Sequence, residues 1–335
     1  MEAGLRETLY RVLATLYQYA EKVAVLEYPR RMARRSIDLA VSLPDRKRLL
    51  VKVALDTSQV TRGEVLDLVN LSSVLGVAPL IVARTHHGQE MIEGVAYDRL
   101  GVKSVSPETL EATLSGKGEV YVYESRDSFR VRINPEALRR KRQELGLSLG
   151  DLAARLGTSR KAVYDYERGR VDPTLERAEV LIRILGEDVL EPVDIFEPPR
   201  EVRASSGSTQ TRLEEIVSRL LEEAGYSVAH ARRTVADLGC SSQEKRFLFV
   251  LDEEHPRRRA SEEKIAYFQE LARVVGVDEH AVITENSVRA KRLDREGVRV
   301  YTPEEIGEMV AGHGARLLPH RKPRSREEHY SGEDS

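Results

Sequence analysis

The 335 residues include one cysteine, no tryptophan, four methionines and only 5% aromatic residues. A single thiol, Cys240, permits no internal disulfide and no cysteine-built zinc site, so an intracellular, cytoplasmic setting is expected. Long apolar runs are missing too. Stretches such as residues 78–83 have strand length and fall far short of the roughly 20 residues of a membrane-spanning helix. Residues 1–19 alternate charged and apolar side chains and hold no signal-peptide core. Neither charge sign dominates: 53 Lys and Arg face 55 Asp and Glu, a formal net charge of −2. That excludes a uniformly basic architectural protein but not a locally basic site. What is present, 41% hydrophobic and 32% charged residues, suffices for packed cores, and the length exceeds one ordinary domain. Scarce Cys and Met with abundant Glu and Arg lean towards a thermophile.

The chain repeats itself. Leu5, Leu9, Val12, Leu13, Leu16 and Tyr17 fall at helical spacing. Strand-like runs at 23–26, 37–43 and 49–55 follow, then a helix over 63–75, a buried strand at 79–83 and a shorter helix around 90–100. The order returns as helix 213–224, strands 227–231, 235–238 and 247–251, helix 262–275 and strand 281–284. Asp38-Leu39 pairs with Asp237-Leu238, Gly76-Val77 with Gly276-Val277, and Gly101-Val102 with Gly297-Val298, at separations of 199, 200 and 196 residues. Two copies of one α/β module with a mixed sheet are predicted, at 1–118 and 212–314. Between them come a β-hairpin connector at 119–133, a purely helical stretch at 134–190 and a Pro- and Ser-rich linker at 191–211. Residues 315–335, rich in mixed charge, are expected to be a disordered tail.

The helical stretch carries the sharpest pattern. A first helix, about 135–145, stops at Gly146. Ser148 caps a second helix, with Asp151 three residues on to close a capping box. Leu152 and Leu156 face inward, Ala153 is small where a third helix crosses, Gly157 supplies the turn and Val163 anchors the third helix. Asp172-Pro173 caps a fourth helix, with Leu175, Ala178, Leu181 and Leu185 inward. A small residue, a glycine and a buried valine at relative positions 5, 9 and 15 are what a tight helix-turn-helix requires sterically. With Val163 inward, about 100° per residue turns Lys161, Tyr164, Asp165 and Arg168 outward and leaves Arg160 near the helix tip. Residues 131–170 hold ten Lys and Arg against five Asp and Glu.

This stretch resembles the XRE/Cro-type, lambda-repressor-like DNA-binding domain. The resemblance implies that the tip of the third helix enters the major groove. Arg160 and Lys161 then donate to guanine, Asp165 accepts from cytosine, and Arg168 and Arg170 meet phosphate, with Ser148, Ser159 and Tyr164 completing the contact set. It also implies a structural ion pair between Arg142 and Glu167. One departure stands out: Leu149 occupies the place of a phosphate-donating glutamine. The whole chain is similar to archaeal helix-turn-helix-type transcriptional regulators, on Ser148-Leu149-Gly150-Asp151-Leu152-Ala153, Ala162-Val163-Tyr164-Asp165-Tyr166-Glu167-Arg168-Gly169 and Glu191-Pro192-Val193-Asp194.

The repeated module resembles the restriction-endonuclease-like core. That chemistry needs an Asp and a second acid two residues before a Lys, so that two carboxylates hold Mg²⁺. Asp38 and Lys52 stand at fitting positions, but Leu50 takes the second acid's place, and Asp56 serves only if the motif has migrated. In the second copy Asp237 remains while Phe249 and Leu251 replace the later pair. A lone carboxylate binds Mg²⁺ poorly, so degenerate modules with no catalytic residue, metal or cofactor are predicted. His86-His87 lacks a third ligand at zinc-like spacing, Gly101 and Gly297 form no phosphate-cradling loop, and Cys240 reads as a buried structural thiol. Tyr10, Tyr17 and Tyr19 read as core or interface, not as a base-stacking platform.

The predicted architecture is multidomain: two restriction-endonuclease-like α/β modules flanking an all-α helix-turn-helix domain. The predicted function is a sequence-specific, double-stranded-DNA-binding regulator, nucleoid-associated and homodimeric, with its recognition helix at about 159–168. The modules supply dimerisation or hold a protein partner or effector, with no membrane contact. A Mg²⁺-dependent nuclease aimed by the helix-turn-helix, and an antitoxin-like scaffold, are the alternatives.

Overall fold

The computed structural model describes residues 2–125, 128–199, 209–254 and 259–314. The predicted hairpin tip, part of the linker and the predicted disordered tail lie outside the described residues. The first module runs α1 (Glu2–Tyr19), β1 (Lys22–Val25), β2 (Leu39–Ser42), β3 (Arg48–Asp56), α2 (Arg62–Leu75), β4 (Ala78–His86), β5 (Gln89–Glu90), β6 (Val95–Arg99), β7 (Val102–Val105) and α3 (Pro107–Leu114). A hairpin, β8 (Val122–Ser125) and β9 (Ser128–Val131), leads to α4 (Pro135–Glu144), α5 (Leu149–Arg155), α6 (Arg160–Tyr166) and α7 (Leu175–Leu185). The second module runs α8 (Arg212–Glu223), β10 (Ser227–His230), β11 (Leu238–Ser241), β12 (Arg246–Asp252), α9 (Glu262–Val275), β13 (Glu279–Thr284), α10 (Ser287–Arg295), β14 (Val300–Tyr301) and α11 (Pro303–Gly314).

The repeat is real in register. Leu39 pairs with Val51 and Leu238 with Phe249 across antiparallel strands, and β4 and β13 then add in parallel beside β3 and β12. The helix expected around 90–100 is corrected: that segment is strand β6, whereas its counterpart in the second copy is helix α10. Gly94 at φ +78° breaks any helix there, and Val95, Ala96 and Tyr97 are buried in the sheet. The change has a use, because β6 accepts β8 in parallel and extends the first sheet into the hairpin.

The modules do not merely flank the helical domain; they share a core. Helices α2 and α9 lie between the two sheets, α2 against β10 and β11 of the second module and α9 against β1 and β2 of the first. Helices α1 and α3 cover the outer face of the first sheet, and α8 and α11 that of the second. The seam is reciprocal. The Arg48 guanidinium sits on Gly276 and donates to the Val275 carbonyl at 2.6 Å, while Arg246 sits in the same way on Gly76. Both glycines end their helices in the left-handed conformation, where a side chain would be strained and would strike the arginine. Ser36 N donates to the Arg233 carbonyl at 2.8 Å, and buried Asp67 accepts from Ser36 Oγ and Arg233 N. Burial holds the Asp67 carboxyl above its ordinary pKa against those bonds.

The expected linker at 191–211 is also corrected in its first part. Val193, Ile195 and Phe196 bury in the outer core of the first module, and Val193 N donates to the Val120 carbonyl at 2.6 Å. Their apolar side chains follow Glu191 and Pro192 without regular spacing, so periodicity alone gave no sign of burial.

Candidate nucleic-acid interface

The helical domain assembles on a core of Leu138, Leu152, Leu156, Val163, Tyr166 and Leu181. Asn134 caps α4, and Ser148 and Asp151 form the reciprocal capping box of α5, with N–H···O distances of 3.1 and 2.8 Å. Gly157, at φ +59°, makes the turn, and buried Ala153 sits where α5 meets α6. Ser159 caps α6 by accepting from Ala162 N at 3.1 Å. The cap of α7 is corrected: Thr174 holds the cap position, and Asp172 faces the hairpin. It accepts from Tyr123 Oη at 2.7 Å and Ile133 N at 3.3 Å, and lies 3.5 Å from Arg132. Burial and this carboxylate push the Tyr123 phenol far up. Such a partner, 49 residues away in sequence, is invisible to a local capping rule.

Arg142 and Glu167 form the ion pair implied by the resemblance, at 2.5 and 3.2 Å, and Arg142 Nη1 also donates to the Leu147 carbonyl at 2.6 Å. Leu149, in place of the glutamine, packs half-buried against the domain core. That side chain gives phosphate no donor.

Ser148, Ser159, Arg160, Lys161, Tyr164, Arg168 and Arg170 are all exposed. No hydrogen bond or ion pair to another described residue engages the Arg160 or Lys161 side chain, so both heads stay solvated and free to bond. The Arg168 and Arg170 guanidinium carbons lie 5.4 and 5.8 Å from the Tyr164 ring centre, which organises two cations beside one another. Asp165 is half-buried and pairs with Arg170 at 3.3 Å.

The nuclease-like positions are filled differently in the two copies. In the first, Asp38 Oδ2 accepts from Val53 N at 2.8 Å and sits 3.2 Å from Lys52, whose ammonium also donates to the Met32 carbonyl and lies 3.8 Å from Glu64. All three ionic side chains are under 5% exposed, closed beneath the turn that carries Met32. Burial raises the Asp38 pKa against the pull of Lys52. In the second copy, Leu251 N donates to Asp237 at 2.9 Å, so the backbone equivalence sets Leu248 and Val250, not Phe249 and Leu251, opposite Leu50 and Lys52. The cation comes instead from α9, where Lys264 holds both Asp237 oxygens at 2.7 Å. Lys264 and Glu64 occupy the same third position of their helices.

A cavity of about 220 Å³ opens beside Asp237, lined also by Glu214, Arg232, Lys264 and Tyr28. Burial works against the Glu214 charge, but bonds from His230, Arg232 and Gln210 N outweigh it and bring its pKa down to about 2. With cationic and N–H donors already on both carboxylates, the set does not fit a Mg²⁺ ion. Asp56 does not rescue the motif either, because Ser58, Thr85 Oγ1 and Gly88 N saturate it. Among the described residues, no group of three or more His, Cys, Asp or Glu side chains is placed to hold a metal. His86 bonds to Thr57 Oγ1 at 2.7 Å, and Cys240 is free and buried. No helix of the described residues is long and apolar enough to cross a membrane.

This is the architecture of a helix-turn-helix DNA-binding protein built on nuclease-like modules. Family models agree: residues 5–119 match a PD-(D/E)XK superfamily domain and residues 138–191 match a helix-turn-helix. A protein of Aeropyrum pernix named "Putative HTH-type transcriptional regulatory protein" is 42% identical over 280 residues, covering 82% of this chain and 85% of the relative. Relatives bearing the same description are 30% identical in Saccharolobus islandicus, over 85% of this chain and 90% of theirs, and in Thermococcus gammatolerans, over 68% and 71%. The chain belongs to this archaeal family of helix-turn-helix-type transcriptional regulatory proteins.

Proposed function

We propose that the chain is a sequence-specific regulator that reads duplex DNA with α6 in the major groove and performs no chemistry on it. The observation that carries this reading is the exposed, unengaged pair Arg160 and Lys161 at the leading end of a helix whose back is locked by Val163. Both are placed to donate to guanine O6 and N7. Arg168 and Arg170 meet phosphates, with the hydroxyls of Ser148 and Ser159 beside them, and Asp165 reaches cytosine only by leaving Arg170. The protein acts in the cytoplasm, on the nucleoid, as a homodimer. The modules hold the reader in position and offer surface to a protein partner.

Selection of genomic fragments by the purified protein with Mg²⁺ present tests the whole reading. A single enriched motif on uncut DNA is the expected result. The second reading, a nuclease, draws on the match of residues 5–119 to a PD-(D/E)XK superfamily domain. Cleavage near the motif that disappears with Asp38→Ala establishes it and overturns ours. Within the reader, Lys161→Ala is expected to cost about 1–3 kcal/mol at one base pair, measured as lost discrimination. Arg168→Ala instead weakens all sequences alike and lowers the salt slope by about one. Equal behaviour of the two variants contradicts the assigned roles.

A further inference from the structure

The two copies differ in the link between their first two strands. Strand register makes Val25 and His230 equivalent, since they pair with Leu39 and Leu238. Residues 26–38 therefore correspond to 231–237, and the first copy is longer by six. Its longer link carries Tyr28-Pro29-Arg30-Arg31-Met32-Ala33-Arg34-Arg35, four arginines without an acid in a chain whose net charge is −2. Closing the first nuclease-like site takes only Met32, whose carbonyl accepts from Lys52. The turn holds two of the arginines out into solvent. Buried Arg35 fastens it from within, donating to the Pro29 and Arg30 carbonyls at 2.7 and 3.0 Å. Residues 32–34 form one 3₁₀ turn, in which side chains three apart share a side. Met32 and Arg35 are accordingly buried together, and Arg31 and Arg34 exposed together. Arg30 pairs with Glu263 of α9 at 3.1 Å. No hydrogen bond or ion pair to another described residue engages the Arg31 or Arg34 side chain.

Cations of the second module meet this turn. The bond from Ser36 N to the Arg233 carbonyl brings the two segments together, and Tyr28 lines the cavity beside Asp237 with Arg232 and Arg259. Arg232 is spent on Glu214, but Arg259 is exposed and unengaged. The Arg233 guanidinium lies over Gly63 and 3.4 Å from Thr61 Oγ1, at the N-terminal end of α2. The helix dipole is positive there, so the chain alone gains nothing from a cation in that place. The nearby Glu64 carboxylate is turned inward, to Thr61 and Lys52. Elsewhere at the seam the reverse holds: Arg48 and Arg246 sit at the C-terminal ends of α9 and α2, where the dipole favours them. Fold stability thus accounts for Arg48 and Arg246, and not for Arg31, Arg34, Arg233 and Arg259. The carboxylates of Glu263, Glu214 and Asp237 already have cationic partners, so the excess charge of this patch is positive.

We propose that the arginine turn and its neighbours at the seam form a second DNA-binding surface, which holds the phosphate backbone of a duplex without reading its sequence. Guanidinium groups suit phosphate oxygens, which they can engage through paired N–H donors. The inference rests on the regulator reading only for its choice of polyanion, and it gives the modules a share in DNA contact. The test is the salt dependence with which the full chain binds a random-sequence DNA duplex, followed by anisotropy. Arg31→Ala with Arg34→Ala is expected to make the slope of log K against log salt shallower by about two, since each phosphate contact contributes about 0.9. Arg31→Lys with Arg34→Lys keeps the charge and is expected to keep the slope. An unchanged slope in the alanine variant, or a lysine variant as shallow as the alanine one, overturns the proposal. A change seen only on an RNA duplex of the same sequence overturns it too, and assigns the surface to RNA. The reader is scored separately. Arg160→Ala with Lys161→Ala should abolish preference for the selected motif, while the alanine pair in the turn still lowers the slope in that background. If no motif is ever selected the regulator reading falls, and the slope on random-sequence DNA still decides this proposal.

Discussion

Arg142→Met is expected to melt the reader domain and abolish DNA binding while leaving the modules folded. The substitution removes both bonds to Glu167 and the bond to the Leu147 carbonyl, and it strands a Glu167 side chain that is 8% exposed. Breaking a buried pair from one side costs on the order of 3–5 kcal/mol, because the remaining charge has lost both water and partner. A domain of this size holds a few kcal/mol in total at about 0.05–0.15 kcal/mol per residue, so the loss is comparable with its whole stability. Hydrogen exchange should show α4–α6 deprotected with the two sheets still protected. Adding Glu167→Leu should recover much of the fold, since an apolar pair of similar volume avoids the stranded charge. Unchanged protection in the single variant refutes the structural role of the pair.

Leu71→Ala is expected to destabilise both modules although the residue belongs to the first. Leu71 is fully buried on α2 and packs against Gly239 of the second sheet, where an added Cβ would lie 3.0 Å from its Cδ2 and 2.9 Å from Val74 Cγ2. Truncating a core leucine costs about 2–5 kcal/mol, according to how far the site collapses. The shared layer makes that loss common property, so protection should fall in β10–β12 as well as in β2–β4. A decrease confined to the first module would mean that the halves fold independently. Gly239→Val approaches the same contact from the other side by overpacking it, and should act in the same direction.

Local patterns made the helix-turn-helix legible, because its requirements are short-range: a serine and aspartate three residues apart, a glycine at the turn, a valine six residues beyond it. The internal repeat was legible for a related reason, since Asp-Leu and Gly-Val pairs recur at nearly constant spacing. What sequence patterning misread depends on distant partners. Asp172 looks like a cap until the hairpin brings Tyr123 and Ile133 N to it. Residues 90–100 carry Met, Ile, Val, Ala and Leu that fit a helix, and only Gly94 together with an open sheet edge decides for strand. Lys264 supplies the charge missing from β12 by reaching Asp237 from a helix, an exchange no single-strand motif expresses. The contact between modules was hidden because α2 and α9 read as ordinary amphipathic helices, and their second apolar face became apparent only in the shared layer.

The first sheet runs on through β6 into β8 and β9, and residues 193–196 fasten the far side of the reader domain to the same module. A reader held at both ends behaves as the jaw of a caliper. In a dimer of such chains, the opening between two jaws would be a property of the protein. An operator whose halves are one base pair too far apart would then have to be overwound or bent by the DNA itself, and its affinity would record the elastic work of doing so.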